Sequence, residues 1–401
     1  MASSIDSTPA TLAPCACSQA LPRDERAPGR ADPELLSCAA ILDQLNDGIY
    51  VTDNDRRIVF WSAAAERITG WKAADVLGRH CRDNILVHVD KDGRHLCADD
   101  RCPLHRSIVT GERSAMPLLV YARTAQGKRV PTLVSVAPIR NARGEVIGGV
   151  ECFRDATETA GDLERAQKIQ RRMMQLDLPE DPRRAVRVHY RPHDIVGGDF
   201  VAVEDVGRDL LVVFVADVMG HGLASALYTM HLKSLWVELA DYVEEPAHFL
   251  EAASDSLHGL ISGDTSFATA AMALVDLRQG RVITAGAGGP APLLYRHGAA
   301  APLAIDCSGL PLGITEGATY QEDVHEFGPG DVLLFYSDGA TEIHDAQGNE
   351  LAQAGLASLL ARRGYPGVPV DFDVVERDLM AHSNAIRLED DLLLLEVRRT
   401  G

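Results

Sequence analysis

The sequence has no long apolar run and no excess of basic residues. Its longest apolar runs fall far short of the roughly 20 residues that cross a bilayer, and its first residues lack the basic start and apolar core of a signal peptide. The 39 Lys and Arg residues against 58 Asp and Glu residues give a net charge of −19, which disfavours binding to nucleic acid or to anionic membranes. We therefore expect no nucleic-acid partner and no membrane partner.

Cysteine is also sparse, with eight residues scattered over 401 positions and no small disulfide-dense frame. This usage is typical of the reducing cytosol, so we expect a cytoplasmic protein. The length leaves room for two domains with separate cores. Residues 1–34 are rich in Ala, Pro, Ser and Asp and are predicted to form a disordered tail.

Acidic residues that sit beside glycines or strand ends are the main chemical signal of the C-terminal half. They are Asp199, Asp217, Asp338 and the adjacent pair Asp390 and Asp391. Carboxylate and carbonyl oxygens are the ligands that Mg²⁺ and Mn²⁺ prefer, and two such ions can activate water for attack on phosphorus. Each site by itself fits an ordinary turn aspartate, but their number in one region favours a metal centre.

The apolar runs next to these aspartates predict how the acids come together. Leu210–Val215 and Val332–Tyr336 are continuous apolar runs, as expected for strands that are buried on both faces. Asp217 and Asp338 follow them directly. If the run Leu392–Leu395 lies antiparallel to both, all the acids share one edge of one sheet.

An ordered set of motifs then resembles a known family. Residues from about 165 to 398 resemble bacterial PPM-type (protein phosphatase 2C-like) serine/threonine phosphatases of the SpoIIE/RsbU branch. The matching motifs are Ala166-Gln167-x-Ile-Gln170 with Leu178-Pro179, Val196-Gly-Gly-Asp199-Phe200, Ala216-Asp217-Val-Met-Gly-His221-Gly222, Ala285-Gly-Ala-Gly288, Gly309-Leu-Pro-Leu-Gly313, Pro329-Gly-Asp331 through Ser337-Asp338-Gly339-Ala-Thr-Glu342, and Asp390-Asp391.

The resemblance implies two Mn²⁺ or Mg²⁺ ions and a role for each acidic residue. Asp217 would bridge both ions, Asp199 and the backbone carbonyl of Val218 would serve one, and Asp338 and Asp390 would serve the other. Asp391 could exchange roles with Asp390. The implied reaction is hydrolysis of phosphoserine or phosphothreonine without a covalent enzyme intermediate.

Two further residues are catalytic candidates on weaker grounds. His221 could protonate the leaving alkoxide, although a histidine between glycines is often structural. Arg191, with His193 nearby, could neutralise the phosphate, and a place in a solvated loop explains both residues equally well. The chain departs from the family pattern at Gly289, where members carry histidine, and at Leu392 and Leu393, where members carry threonine after the acidic pair.

The N-terminal half resembles a different family. Short strands at Gly48–Thr52 and Ile58–Trp61 flank a turn, a helix is expected over Ser62–Thr69, and strand-like runs recur from Met116 to Phe153. This order resembles a PAS sensor domain over residues 35–155, a fold that often encloses a ligand. The predicted class is therefore α+β, with an N-terminal PAS domain and a C-terminal α-β-β-α sandwich phosphatase domain over residues 179–398.

The predicted PAS domain contains a dense group of cysteines and histidines. Residues 80–105 hold seven of the 22 Cys and His residues of the chain. The group could bind Zn²⁺, iron or a cluster, or form a redox thiol pair; simple burial of the cysteines is the third possibility. Haem and flavin stay open, although no residue requires them. The members are His80, Cys81, His88, His95, Cys97, Cys102 and His105.

A helical linker over residues 156–178 is expected between the two domains. Its apolar residues recur at spacings of three and four and form one stripe, which favours a homodimer through paired helices. Packing of a single helix on its own phosphatase domain is the alternative. The stripe consists of Leu163, Ala166, Ile169, Met173 and Leu176.

These features together predict a signal-regulated, metal-dependent phosphatase. The family resemblance points to a phosphorylated STAS-type anti-sigma-factor antagonist as its substrate. The competing hypothesis is a non-catalytic PAS-containing scaffold that binds its partner without hydrolysis. The presence of all four motif aspartates favours the phosphatase, because a domain without metal ions gains nothing from gathering so much negative charge.

Overall fold

The structure is a computed structural model that describes residues 42, 44–97, 102–114, 117–207, 209–220, 222–261, 266–383 and 388–401. The predicted N-terminal tail lies outside the described residues. The chain divides into two compact units, with the boundary between Ala160 and Gly161. Among the described helices, none combines the length and the apolar character that a membrane crossing requires.

The first unit contains one antiparallel sheet of five strands in the order β2-β1-β5-β4-β3. The predicted hairpin and three-stranded meander are therefore present. The strands are β1 Gly48–Asp53, β2 Ile58–Trp61, β3 Leu118–Arg123, β4 Arg129–Arg140 and β5 Val146–Asp155; the helices are α1 Ala63–Thr69, α2 Ala73–Val76 and α3 Pro103–Thr110.

Helix α1 shows how local sequence sets the element boundaries in this unit. The Ser62 hydroxyl accepts a hydrogen bond from the Ala65 N–H and caps the N-terminus of the helix. Gly70 ends the helix in the left-handed conformation, with φ of 75°, which glycine adopts at little cost. The expected helix over Ser62–Thr69 is confirmed, with Ser62 as its cap.

The second unit contains two antiparallel sheets of five strands each, in the orders β13-β10-β9-β8-β7 and β12-β11-β14-β15-β6. It begins within a long helix, α4, which spans Thr157–Met173. The strands are β6 Arg184–Arg191, β7 Asp199–Asp205, β8 Leu210–Val218, β9 Ala268–Asp276, β10 Arg281–Ala287, β11 Leu293–Tyr295, β12 Leu303–Ala304, β13 Glu322–Glu326, β14 Val332–Tyr336 and β15 Leu392–Arg399; the helices after α4 are α5 Leu223–Glu238, α6 Pro246–Ile261, α7 Ala352–Arg362 and α8 Phe372–Ser383.

Burial along β14 shows that this unit is an α-β-β-α sandwich. Leu333 and Phe335 belong to the core between the two sheets, while Leu334 and Tyr336 belong to a second core beneath α7 and α8. Adjacent residues of a strand point to opposite faces of the sheet. Both faces are therefore covered, which explains why the strands are continuous apolar runs. Helices α5 and α6 cover the other sheet, where Phe214 stacks on Trp236 at a ring-centroid distance of 6.0 Å.

One prediction about the sheets was wrong. β14 and β15 are antiparallel neighbours, as expected, but β8 belongs to the other sheet. The acids therefore do not share one edge of a single sheet. Asp217 comes from one layer, and Asp338 and Asp390 come from the facing layer. A run of apolar residues reports burial on both faces, but it carries no information about which sheet the strand joins.

Candidate metal and phosphate site

Asp199 and Asp217 face each other on neighbouring strands. They are register partners on β7 and β8, so their side chains share one face of the sheet, with Cβ atoms about 5 Å apart. Asp199 is fully buried, and neither of its carboxylate oxygens forms a hydrogen bond of normal geometry, although the nearby Ser337 side chain acts to lower its pKa. Burial raises the pKa of Asp199 well above its usual value, and the charges of Asp217 and Asp391 raise it further.

Asp217 and Asp338 lie in the same field of negative charge. Burial raises the pKa of Asp217 to about 8, with the charges of Asp338 and Asp390 as the next causes. Burial also raises the pKa of Asp338 to about 6, followed by the charges of Asp390 and Glu342. Carboxylates at such short range cannot all ionise without a compensating positive charge.

Asp390 and Asp391 occupy different environments although they are adjacent. The side chain of Asp391 is buried and accepts three backbone hydrogen bonds, from the N–H of His193 (2.6 Å), of Gly198 (2.6 Å) and of Asp199 (3.2 Å). Asp390 is half-buried, and its Oδ1 accepts only the Asp391 N–H, at 2.8 Å, among the hydrogen bonds of the described chain. Asp391 therefore holds the loop before Asp199, and Asp390 keeps oxygens available.

The glycine beside Asp199 lets a backbone carbonyl approach. A Cβ atom at Gly198 would stand 2.6 Å from the Val218 carbonyl oxygen and 3.1 Å from the Gly220 carbonyl oxygen, closer than real side chains tolerate. Any residue other than glycine would displace the Val218 carbonyl, the predicted backbone ligand. The candidate ligands are therefore oxygens of four aspartates and of the Val218 carbonyl. An all-oxygen set of this kind fits the hard cations Mg²⁺ and Mn²⁺.

Two glutamines of α4 hold the loop before Asp199 from the other side. The buried Gln170 side chain donates to the Gly197 carbonyl at 2.7 Å and to the Thr229 hydroxyl at 3.0 Å. Gln167 donates to the Ile195 carbonyl at 2.6 Å. In the sequence, both glutamines stand out only as part of a family motif. Their signal was a polar pair, three residues apart, on an otherwise amphipathic helix.

Of the remaining catalytic candidates, the structure describes Arg191 and its neighbour His193. The Arg191 Nε atom lies 3.5 Å from a carboxylate oxygen of Glu376 on α8, under the outer face of the second sheet. His193 contributes its backbone N–H to Asp391, and its Nδ1 atom lies 2.8 Å from the Leu388 carbonyl. His221 lies outside the described residues. The roles of Arg191 and His221 stay predictions.

A tighter group of ionisable side chains lies beside Arg191. His189, Asp373 and Glu376 place potential ligand atoms within 4.8 Å of one another. The two imidazole nitrogens are already engaged, because Nε2 lies 3.1 Å from Glu376 and Nδ1 lies 3.6 Å from Asp373. Together with Arg191, the group is a network of polar contacts that joins β6 to α8.

The predicted cysteine and histidine group in the first unit does not assemble as a ready metal site. Cys81, Cys97 and Cys102 are free thiols, and burial is the main cause that raises the pKa of each. Among the described residues, His80, His95 and His105 do not join these thiols in a group of three ligand atoms within 4.8 Å. High thiol pKa values disfavour a reactive redox pair.

Comparison with known families agrees with both parts of the fold. The model of the Stage II sporulation protein E (SpoIIE) family matches residues 207–400, and a PAS domain model matches residues 46–158. The matched SpoIIE region contains Asp217, Asp338 and Asp390 and begins just after Asp199.

Individual relatives are distant and are matched over part of their length. The chain is 25% identical over 187 residues to phosphoserine phosphatase RsbP of Bacillus subtilis, which covers 46% of each protein. It is 20% identical over 264 residues to protein IcfG of Synechocystis, covering 59% of this chain and 41% of that protein. The chain thus spans less than half the length of both relatives.

A solved structure shares the fold of the second unit. The SiaA-PP2C domain of Pseudomonas aeruginosa superposes with a TM-score of 0.53 at 21% identity, over 61% of this chain and 98% of that domain. At this identity the likeness concerns the fold alone. The C-terminal domain therefore matches the SpoIIE family model and has the PP2C fold, and it follows a PAS domain.

Proposed function

We propose that this chain is a signal-regulated, metal-dependent protein serine/threonine phosphatase. The observation that carries the proposal is the buried carboxylate of Asp199, which faces Asp217 and forms no hydrogen bond of normal geometry. A carboxylate in that position is costly unless cations occupy the space beside it. The SpoIIE family match and the similarity to a protein named phosphoserine phosphatase support the same activity.

The acidic residues divide into metal ligands and one positioning residue. Asp217 would contact both Mn²⁺ or Mg²⁺ ions, Asp199 and the Val218 carbonyl would hold one, and Asp338 and Asp390 would hold the other. When bound, the ions would supply the positive charge that polarises water and the phosphate oxygens. Asp391 would serve as a positioning residue, because its oxygens are taken up by the backbone of the loop that carries Asp199.

The substrate is proposed to be a phosphorylated STAS-type regulatory protein. The support is the resemblance to the SpoIIE/RsbU branch and the similarity to RsbP. A protein substrate also suits the surface beside the site, where Met219, Leu223 and Leu227 expose 42%, 51% and 57% of their surface next to Asp217 along the chain. Exposed apolar residues in such a group are typical of protein-binding surfaces.

We also propose dimerisation through α4, but with fewer residues of the apolar stripe than the sequence predicted. Met174 and Leu176 pack into the core of the C-terminal domain, so Leu176 is not available to a second chain. Ile169 of α4 exposes 54% of its surface and stays available for such a contact.

Light scattering of the wild type and of Ile169→Asp tests dimerisation through α4. A dimer that becomes a monomer in the variant supports it, and a monomeric wild type contradicts it.

Phosphate release from a phosphorylated STAS protein and from p-nitrophenyl phosphate tests the activity. The assay compares the wild type, Asp217→Asn and Asp241→Asn with added Mn²⁺, Mg²⁺ or chelator. Asp241 lies exposed on a 3₁₀ turn of the same domain and is the matched control. We expect metal-dependent turnover that falls by about two to three orders of magnitude in Asp217→Asn and persists in Asp241→Asn.

Two outcomes would count against the proposal. A folded wild-type protein without turnover on either substrate, with any metal, would contradict phosphatase activity and favour a binding scaffold. Turnover of p-nitrophenyl phosphate without turnover of the phosphorylated STAS protein would retain the metal-dependent phosphatase and reject the proposed substrate.

A further inference from the structure

A glutamate lies in the middle of the PAS sheet. Glu151 belongs to β5, between β1 and β4, where its register partners are Tyr50 and Val136. Glu151 exposes only 2% of its surface. Phe153 lies two positions along the strand, so it shares the face of Glu151 and packs within 6.4 Å of the Tyr50 ring. An acid in such an aromatic core needs a specific partner.

Only one of the two Glu151 carboxylate oxygens has such a partner. The Tyr50 hydroxyl donates to Glu151 Oε2 at 2.9 Å. The other oxygen, Oε1, lies 3.5 Å from Nε2 of the buried His88, but the two atoms do not form a hydrogen bond, and neither has any other hydrogen-bond partner. Buried polar atoms that stay unpaired destabilise a fold, so this pair has a reason to bind a further group. A separation of 3.5 Å is close to that of two ligands on one metal ion, whose bonds are each about 2 Å long.

Three thiols lie in the neighbourhood of this pair, but none is within ligand distance of both of its atoms. Cys81 and Cys102 are buried, and both lie close enough for the Glu151 charge to raise their pKa, after burial as the main cause. The Cys97 sulfur accepts the backbone N–H of His88 at 3.1 Å. Among the described residues, no third ligand atom stands within 4.8 Å of both His88 and Glu151. Completing a coordination shell therefore requires a thiol to move inward.

We propose that His88 Nε2 and Glu151 Oε1 are the fixed half of a buried metal site in the PAS domain, which binds a divalent transition-metal ion of the Zn²⁺ class and is completed by the thiolate of Cys81 or Cys102. Imidazole, carboxylate and thiolate together select borderline ions over Mg²⁺ and Ca²⁺. The site differs from the cysteine and histidine group expected from the sequence, because its fixed ligands include a glutamate 46 residues beyond that group.

The electrostatics of the pair agree with this assignment. Burial, followed by the charge of Arg129, lowers the pKa of His88 to about 4, so the imidazole is neutral, as a metal ligand must be. Burial raises the pKa of Glu151 to about 8, and the Tyr50 hydrogen bond opposes this shift. A divalent cation beside Glu151 would restore its ionised form. Tyr50 would then orient the carboxylate as an outer-shell partner.

Cobalt titration of the full chain tests the proposal. Co²⁺ bound by a thiolate produces a sulfur-to-metal charge-transfer absorption, which the phosphatase aspartates cannot produce because they offer only oxygen. We expect one equivalent of Co²⁺ to produce this absorption in the wild type and Zn²⁺ to displace it. His88→Gln and Glu151→Gln should each weaken Co²⁺ binding at least about tenfold, the usual cost of disturbing a metal site.

Cys152→Ser is the matched control for the cysteines. Cys152 follows Glu151 on β5, points to the opposite face of the sheet and lies 4.0 Å from Asp47. Its variant should keep the absorption, whereas Cys81→Ser or Cys102→Ser should lose it. Circular dichroism checks that each variant is folded. If Glu151→Gln does not fold, the His88→Gln variant alone tests the proposal. Absence of the absorption in the wild type, or its persistence in both His88→Gln and Glu151→Gln, would overturn the proposal.

Discussion

Two buried carboxylates, one in each domain, have opposite surroundings. Asp199 is fully buried among other acids at the ends of strands, and neither of its oxygens forms a hydrogen bond of normal geometry. Glu151 is equally buried, but one of its oxygens accepts the Tyr50 hydroxyl and the other faces a neutral histidine. Burial alone therefore does not define a metal site, because the groups around each buried carboxylate also matter. Several acids surround Asp199, so its site is suited to hard cations, whereas Glu151 faces an imidazole and a hydroxyl, so the ion proposed there needs a thiolate to complete its ligands.

The largest effects are expected at the adjacent acids Asp390 and Asp391. Asp390 resembles Asp199 in keeping oxygens available for an ion, whereas the oxygens of Asp391 accept backbone N–H groups. Asp390→Asn should reduce metal-dependent phosphate release by about two to three orders of magnitude with little change in stability. Asp391→Asn should instead destabilise the fold by about 1–3 kcal/mol, since at least one of three N–H groups, two of them buried, loses its acceptor. Phosphatase assays and urea unfolding in chelator measure both effects.

The opposite pattern would reassign the pair. If Asp391→Asn retains full stability and loses activity, while Asp390→Asn remains active, then Asp391 is the ligand and Asp390 belongs to the loop. Asp345→Asn is a suitable control for the unfolding measurements, because Asp345 also accepts backbone N–H groups, but in an exposed turn of the same domain.

The Tyr50 hydroxyl tests the other side of the comparison. Tyr50→Phe keeps the ring in the aromatic cluster and removes the hydrogen bond to Glu151. If Glu151 is a ligand, affinity for Zn²⁺ or Co²⁺ should fall by about 10- to 100-fold, the usual effect of losing an outer-shell partner. Calorimetric titration of the full chain measures this loss. An unchanged affinity would show that Tyr50 does not orient a ligand.

Gln170 tests how firmly the loop before Asp199 must be held. Gln170→Leu keeps the bulk of the side chain but leaves the Gly197 carbonyl and the Thr229 hydroxyl without their buried donor, at a cost of about 1–3 kcal/mol. We expect a higher Mn²⁺ concentration for half-maximal activity, by about tenfold. Lys168→Leu, at an exposed position of α4, is the control. Equal metal dependence in both variants would exclude α4 from positioning Asp199.

The sequence predicted more of the site's composition than of its geometry. The motifs around Asp199, Asp217, Asp338 and Asp390 were sufficient to predict a PPM-type domain, and the alternation of apolar runs was sufficient to predict buried strands. The placement of β8 in a different sheet from β14 was not predicted, because a strand that is buried on both faces carries no pattern specific to its neighbours.

Buried polar partners were the other feature that local sequence could not supply. Gln170 and Glu151 look like ordinary residues of a helix and a strand, and their importance follows from contacts with residues 27 and 101 positions away. Conversely, the cysteine and histidine group was conspicuous in sequence, yet the structure pairs His88 with Glu151 and leaves its thiols dispersed. Sequence proximity was a poor guide to coordination there.

The two domain types, the acidic residues of the candidate metal site and the boundaries of capped helices such as α1 could be predicted from the sequence alone, because motifs, periodicity and capping act over a few neighbouring residues. Only the tertiary structure decided that two sheets bring those acids together, that Asp391 holds a loop while Asp390 stays available, and that Glu151 meets His88. These outcomes depend on hydrogen bonds and burial between distant segments, and both arise only when the chain has packed.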